Sequence, residues 1–104
     1  MQPESGTEFM ASQTWGNRIR LNPGAAASIH DDGLVVLHVT SGQLFTSNQT
    51  GARIWQCLEQ QLPLDAIAAR ISRDYGIDQA TAREDVARFL AELERNGLTE
   101  RVPD

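Results

Sequence analysis

At Asn48 the hydrophobic pattern of this chain changes period, and that switch constrains the fold more than any other feature of its 104 residues. Upstream, Leu34-Val35-Val36-Leu37-His38-Val39 is a dense run rich in β-branched residues, which fit a pleated surface. Downstream, Ile54, Trp55, Leu58 and Leu62 recur at the spacing of one helical face. Strands first and helices second point to an α+β domain rather than to alternating βαβ units.

Turn residues divide the two halves. Asp31-Asp32-Gly33 marks a turn before the strong strand, because Gly tolerates positive φ and Asp hydrogen-bonds within its own turn. Ala25–His30 supplies a short, weaker strand ahead of it, entered through a turn at Leu21–Gly24. Ser41-Gly42 marks the next turn and Gln43–Thr46 a third strand, which completes an antiparallel meander. The first helix ends at Pro63, a residue tolerated in the first turn of the next helix. Leu64, Ile67, Ala68, Ile71 and Tyr75 give that second helix, stopped by Gly76. Asp78 is a suitable N-cap for a third, which carries Ala82, Val86, Phe89, Leu90 and Leu93 on one stripe. Asn96-Gly97 stops it, and Leu98–Val102 continues as a short extended piece. The predicted order is βββααα: a winged helix-turn-helix-like α+β fold, with a three-stranded antiparallel sheet followed by three helices.

Residues 1–14 are expected to form a flexible tail, either native or in part vector-derived ahead of a natural start at Met10. Residues 15–104 form a single domain, with Trp15 anchoring the N-terminal arm to the sheet.

Charge narrows the function. Nine basic residues, all Arg, face fourteen acids, for a net charge of -5. Such a surface is a poor match for a phosphate backbone or an anionic membrane, so neither nucleic acid nor membrane is expected as a partner. No apolar run approaches a membrane span and no secretory leader pattern is present, which predicts a soluble, cytoplasmic protein.

The residues of catalytic type do not assemble into a site. Cys57 is alone, so it closes no internal disulfide, and with no base beside it in sequence it reads as structural. His30 and His38 fall on neighbouring strands across a tight turn and are expected as cross-strand neighbours. No Cys or carboxylate joins them at ligand spacing, so they read as sheet residues rather than metal ligands. Asp31 and Asp32 belong to a turn. Glu84, Asp85, Glu92 and Glu94 interleave with Arg83, Arg88 and Arg95 as a solvated helix face with i,i+3 and i,i+4 pairs. No phosphate-binding glycine motif occurs. The chain therefore reads as a binding module with no catalytic residue, no metal site and no cofactor. Its third strand, at the sheet edge, offers unpaired backbone groups to an extended peptide, with the third helix as the facing wall.

An ordered series of segments carries a resemblance. It runs Asp32-Gly33-Leu34-Val35-Val36-Leu37, then Gly42-Gln43-Leu44-Phe45-Thr46-Ser47-Asn48, then Thr50-Gly51-Ala52-Arg53-Ile54-Trp55. Ala66-Ile67-Ala68, Tyr75-Gly76-Ile77, Asp85–Leu93 and Gly97-Leu98 follow in the same order. From Gly33 to Leu98 the chain resembles the PqqD-like family, the recognition elements for ribosomally made, post-translationally modified peptides (RiPPs). The Gly-x-x-Phe-x-x-Asn-x-x-Gly-Ala-x-Ile-Trp run is most similar to the discrete lasso-peptide type. Ser47, where an apolar residue is usual, and His38, where Asp is common, depart from that pattern.

The resemblance implies a non-catalytic adaptor. Its partner would be the leader segment of a precursor peptide, added as a strand to the third β-strand with side chains in a groove beside the third helix. The adaptor would deliver the precursor to a separate leader protease and cyclase, or to another modifying enzyme. Gln43, Leu44, Phe45 and Thr46 would form the edge, and Ala82, Arg83, Asp85, Val86 and Phe89 the helix side. Alternation sends Leu44 and Phe45 to opposite faces and leaves open which lines the groove. Asp85 would pair with either a leader cation or an Arg of this chain. A PqqD-type peptide chaperone in quinone cofactor or other RiPP biosynthesis is the alternative, followed by a winged-helix DNA-binding protein.

Overall fold

A computed structural model describes residues 18–102. The tail expected at residues 1–14 and the anchoring role of Trp15 lie outside the described residues.

The elements run β1 (Arg18–Leu21), β2 (Ala25–His30), β3 (Gly33–His38), β4 (Gln43–Ser47), α1 (Gln49–Glu59), α2 (Leu64–Tyr75), α3 (Gln79–Arg95) and β5 (Thr99–Val102). Strands β2, β3 and β4 form the expected antiparallel sheet in that order, and three helices follow. The order βββααα is incomplete, however. Arg18–Leu21 pairs antiparallel with the returning Thr99–Val102, with Ile19 opposite Arg101 and Leu21 opposite Thr99, in a separate two-stranded sheet. Neither four-residue segment carries enough pattern to mark this pairing, since each finds its partner only through the finished fold.

Register corrects the histidine pair. The β2–β3 hairpin closes at His30 opposite Gly33, whereas His38 lies opposite Ala25 at the far end. A tight turn brings its flanking residues together and sends His38 a full strand length away. His30 Nε2 lies 2.8 Å from Ser28 Oγ, and His38 Nδ1 accepts the Ser41 N–H at 3.2 Å. Gly33 itself has φ 152°, and a Cβ there would overlap the Ser47 carbonyl oxygen.

Leu34 and Val36 of β3 point inward and are fully buried, while Val35 and Leu37 face out. Helices cover the inner face. Ile54, Trp55 and Leu58 of α1 meet Ile67 and Ile71 of α2 and Val86, Leu90 and Leu93 of α3 in one core. Asn48 caps α1 by accepting the Gly51 N–H, and Asp78 caps α3 by accepting the Thr81 N–H at 3.1 Å. Gly76 ends α2 at φ 64°. Leu62 lies beyond the end of α1 and packs against the core from the α1–α2 connection.

The interleaved charges of α3 do not all pair along the helix. Asp85 and Arg88 do, at 3.2 Å. Arg83 reaches Asp65 of α2 instead, and Glu94 meets Arg101 of β5 at 3.5 Å. Neighbouring elements lie close enough to compete for these side chains. Among the described residues no helix is long and apolar enough to cross a membrane.

Candidate functional site

The polar groups of β4 can be placed from one hydrogen bond. The Val39 N–H donates to the Gly24 carbonyl at 2.8 Å, so the odd-numbered backbone groups along β3 face β2. An antiparallel ladder alternates, so those of Leu34, Val36 and His38 face β4. Their partners are Ser47, Phe45 and Gln43. Leu44 and Thr46 consequently turn both N–H and C=O toward the open edge. No strand covers that edge among the described residues.

Side chains resolve the choice left by alternation. Phe45 lies opposite Val36 on the helix side of the sheet and is partly buried against the core. Leu44 points to the other face and is 67% exposed. Phe45 therefore lines the inner side of the edge, and Leu44 supplies backbone. Gln43 and Thr46 are exposed at either end.

At 100° per residue, the buried stripe of α3 has Phe89 at one margin and Leu90 at the other. Phe89 faces β4: its ring centroid is 6.0 Å from that of Phe45, at an interplanar angle of 56°. Gly51, at the start of α1, closes the base. A Cβ on it would lie 2.7 Å from Ser47 Cβ and 3.0 Å from the Phe89 ring. The floor between β4 and α3 is thus made by the Phe45 and Phe89 rings, with Ser47 and Gly51 packed at its base. The open edge of Leu44 and Thr46 forms one bank and α3 the other.

Six of the nine residues expected from sequence gather here: Gln43, Leu44, Phe45, Thr46, Asp85 and Phe89. Asp85 sits one turn before Phe89 on the same margin and pairs within the chain, with Arg88. Ala82 and Val86 are fully buried, so they support the floor from beneath and present no surface. Arg83 lies at the opposite margin, where it is paired with Asp65 of α2. Sequence reasoning did not place Ser47 or Gly51 at this site. Arg88 and Glu92, read from sequence as part of a solvated helix face, are exposed on the Asp85 side of α3. The Ser47–Gly51 contact joins a strand to a helix, and no periodicity reports it.

The remaining candidates form no second centre. Burial pushes the Cys57 thiol above its ordinary pKa, opposed more weakly by the Arg70 charge, so the thiol stays neutral and unreactive. No group of three or more His, Cys, Asp or Glu able to hold a metal occurs among the described residues. A cavity of about 590 Å³ lies between Ile19, Leu21, Leu58, Glu59 and Pro63. It shares no residue with the β4–α3 groove and brings together no catalytic constellation.

Comparison with known proteins follows the same lines. The profile of the family described as coenzyme PQQ synthesis protein D (PqqD) matches residues 33–98. No curated protein matches. Among solved structures, TbiB1 in complex with the TbiA(beta) leader peptide is similar at 29% identity and TM-score 0.75, over 82% of this chain and 99% of that one. Lasso peptide synthetase B1 complexed with the leader peptide is similar at 28% identity and TM-score 0.72, over 79% and 96%. The solution NMR structure of the PqqD truncation of Methylobacterium extorquens PqqCD, a stand-alone RiPP recognition element, shares the fold at 18% identity and TM-score 0.70, over 86% and 96%.

Proposed function

The chain belongs to the PqqD-like family of RiPP recognition elements, and from that premise we propose that it binds the leader segment of a ribosomal precursor peptide along β4. One observation carries the reading: the outward N–H and C=O groups of Leu44 and Thr46 run beside the floor made by Phe45 and Phe89. An extended leader pairs its backbone with those groups as a fourth strand. Its alternate side chains then settle on the apolar floor, while those between them join the outer face of the sheet. Main-chain pairing supplies affinity and the floor selects among side chains.

The domain does no chemistry of its own. It acts as an adaptor that presents the precursor to separate enzymes, a leader protease and a cyclase, in lasso peptide biosynthesis. The pathway assignment rests on two similar structures, both of them B1-type proteins holding leader peptides. The winged-helix DNA-binding alternative is disfavoured by α3, in which Glu84, Asp85, Glu92 and Glu94 outnumber three arginines.

Fluorescence anisotropy tests the proposal. Labelled synthetic leaders of lasso and of quinone-cofactor precursors are titrated with the protein. Saturable binding of a lasso leader, competed by unlabelled leader and not by core peptide, is expected. Binding of the quinone-type leader alone would move the protein to that pathway, and binding of neither would remove the adaptor reading.

A further inference from the structure

Among the described residues the three-stranded sheet has a second open edge, β2, whose character differs from that of β4. Its sequence, Ala25-Ala26-Ala27-Ser28-Ile29-His30, holds no Lys, Arg, Asp, Glu or Pro. Its pairing with β3 is one-to-one over all six residues, so no bulge twists the edge away. Five of the six are exposed, Ile29 at 40%. Charge, proline and bulges are the usual devices that keep edges from pairing, and β2 has none of them. Among the described residues no groove accompanies it either: α3 and the aromatic floor lie at β4, so this edge offers its backbone, small Ala and Ser side chains, and the exposed Ile29 and His30.

We propose that β2 is a self-association edge, which pairs antiparallel with β2 of a second copy of this chain about a two-fold axis at Ala27. The ladder specifies this register. Because Val39 bonds across to Gly24, the backbone groups of Ala25, Ala27 and Ile29 are the ones that face outward. Centring on Ala27 sets Ala27 against its own copy and Ile29 against Ala25. The Ala25 N–H is already donated to the Asn22 carbonyl at 2.9 Å, but its carbonyl is open to the Ile29 N–H of the second copy. Every outward N–H that remains free then finds a carbonyl. Small Ala side chains meet at the axis, and each exposed Ile29 is covered over an Ala. The charges agree as well. The acidic turn Asp31-Asp32 of one copy falls beside the uncharged turn Asn22-Pro23-Gly24 of the other, so the two acidic turns do not meet.

A single strand pair buries less than the roughly 1,200–2,000 Å² of a stable complex, so the dimer is transient. It leaves both β4 edges free at the far sides of a six-stranded sheet, and two leaders are carried together.

Sedimentation equilibrium of the whole chain, together with register-specific cross-linking, tests this. The weight-average mass is expected to rise toward twice the monomer mass as the protein concentration is raised. In the proposed register Ala26 faces Ser28 of the second copy as a non-hydrogen-bonded pair, a separation a disulfide spans. Ala26→Cys and Ser28→Cys chains should therefore cross-link when mixed at least tenfold faster than either alone. Ala27→Pro removes an outward N–H without touching the β3 ladder and should abolish the mass increase while leaving β4 intact. Constant mass up to about 1 mM, or cross-linking no faster in the mixture than in the single variants, would overturn the proposal whether or not Ala27→Pro folds.

Discussion

Phe45 and Phe89 come from elements 44 residues apart and meet ring to ring at 6.0 Å. That contact ties the edge strand to α3 and forms the floor on which the leader is proposed to rest. Tilted pairs of this kind contribute about 0.5–1.5 kcal/mol beyond the area they bury. Phe89→Leu should therefore destabilise the domain by about 1–2 kcal/mol yet leave it folded. Leader affinity should fall at least tenfold in the same variant. A Phe45→Leu, Phe89→Leu double-mutant cycle, read by urea denaturation and by anisotropy, should show coupling in both stability and binding. Full leader affinity in folded Phe89→Leu would remove the floor from the site.

The ladder phase predicts opposite outcomes for two adjacent prolines. Thr46 turns its N–H to the open edge, so Thr46→Pro leaves the β3–β4 bonds in place. Its melting temperature should shift by only a few degrees, while leader binding drops at least tenfold for the lost donor and altered edge. Phe45→Pro removes a bond to Val36 and should unfold the hairpin. Peptides N-methylated at the positions that pair with Leu44 and Thr46 should reproduce the first loss on unmodified protein.

How much of this was legible beforehand follows from what each signal measures. The three central strands and three helices show in the sequence because the period changes at Asn48 and because Gly33, Gly76 and Asp78 sit where turns and caps need them. The pairing of β1 with β5 was hidden, since four residues carry no usable period and the partner lies at the other end of the chain. At the site, helical spacing placed Phe89 and Asp85 on one margin but also drew in Arg83, which the α2 carboxylate Asp65 claims. Ala82 and Val86 belong to the same stripe as Phe89, and spacing alone does not separate a buried centre from an exposed margin. The choice between Leu44 and Phe45 needed the register, and register is set by the turn and by the opposing core residues.

Cys57 gives a pH dependence whose sign is fixed. Burial raises its pKa in the folded state above the ordinary value near 9.0, and the unfolded thiol titrates at that ordinary value. As pH rises through the unfolded-state pKa, the unfolded chain loses its proton first, so stability falls from there up to the folded-state pKa. Urea midpoints measured from pH 7 to 10 should decline at the alkaline end. Cys57→Ala should start about 1 kcal/mol less stable, because it leaves a small void, but should decline less steeply. An identical slope in the two proteins would show that the thiol is not the group responsible. Leader affinity at neutral pH should be the same in both, since Cys57 lies in the core and away from the groove.

Gly51 separates packing of the floor from propensity of the helix. In an open helix Gly→Ala is stabilising by about 0.5–1 kcal/mol, but here the added methyl overlaps the Ser47 side chain and lies 3.0 Å from the Phe89 ring. Gly51→Ala should therefore destabilise by about 1–3 kcal/mol and weaken leader binding, because relief of the overlap moves either β4 or Phe89. The closest obstacles belong to one side chain, so Ser47→Gly in the same chain should restore most of the stability and binding. No such rescue exists at Gly33, where the obstacle is the Ser47 carbonyl and the backbone has φ 152°. Gly33→Ala should cost more than about 3 kcal/mol with Ser47 or with Gly at that position. Gly42, at φ 76° with nothing near its Cβ position, isolates the backbone contribution, and Gly42→Ala should cost about 1–2 kcal/mol. Should Ser47→Gly fail to rescue Gly51→Ala while Gly42→Ala behaves as expected, Phe89 rather than Ser47 would be the residue that fixes the distance between the edge strand and the helices.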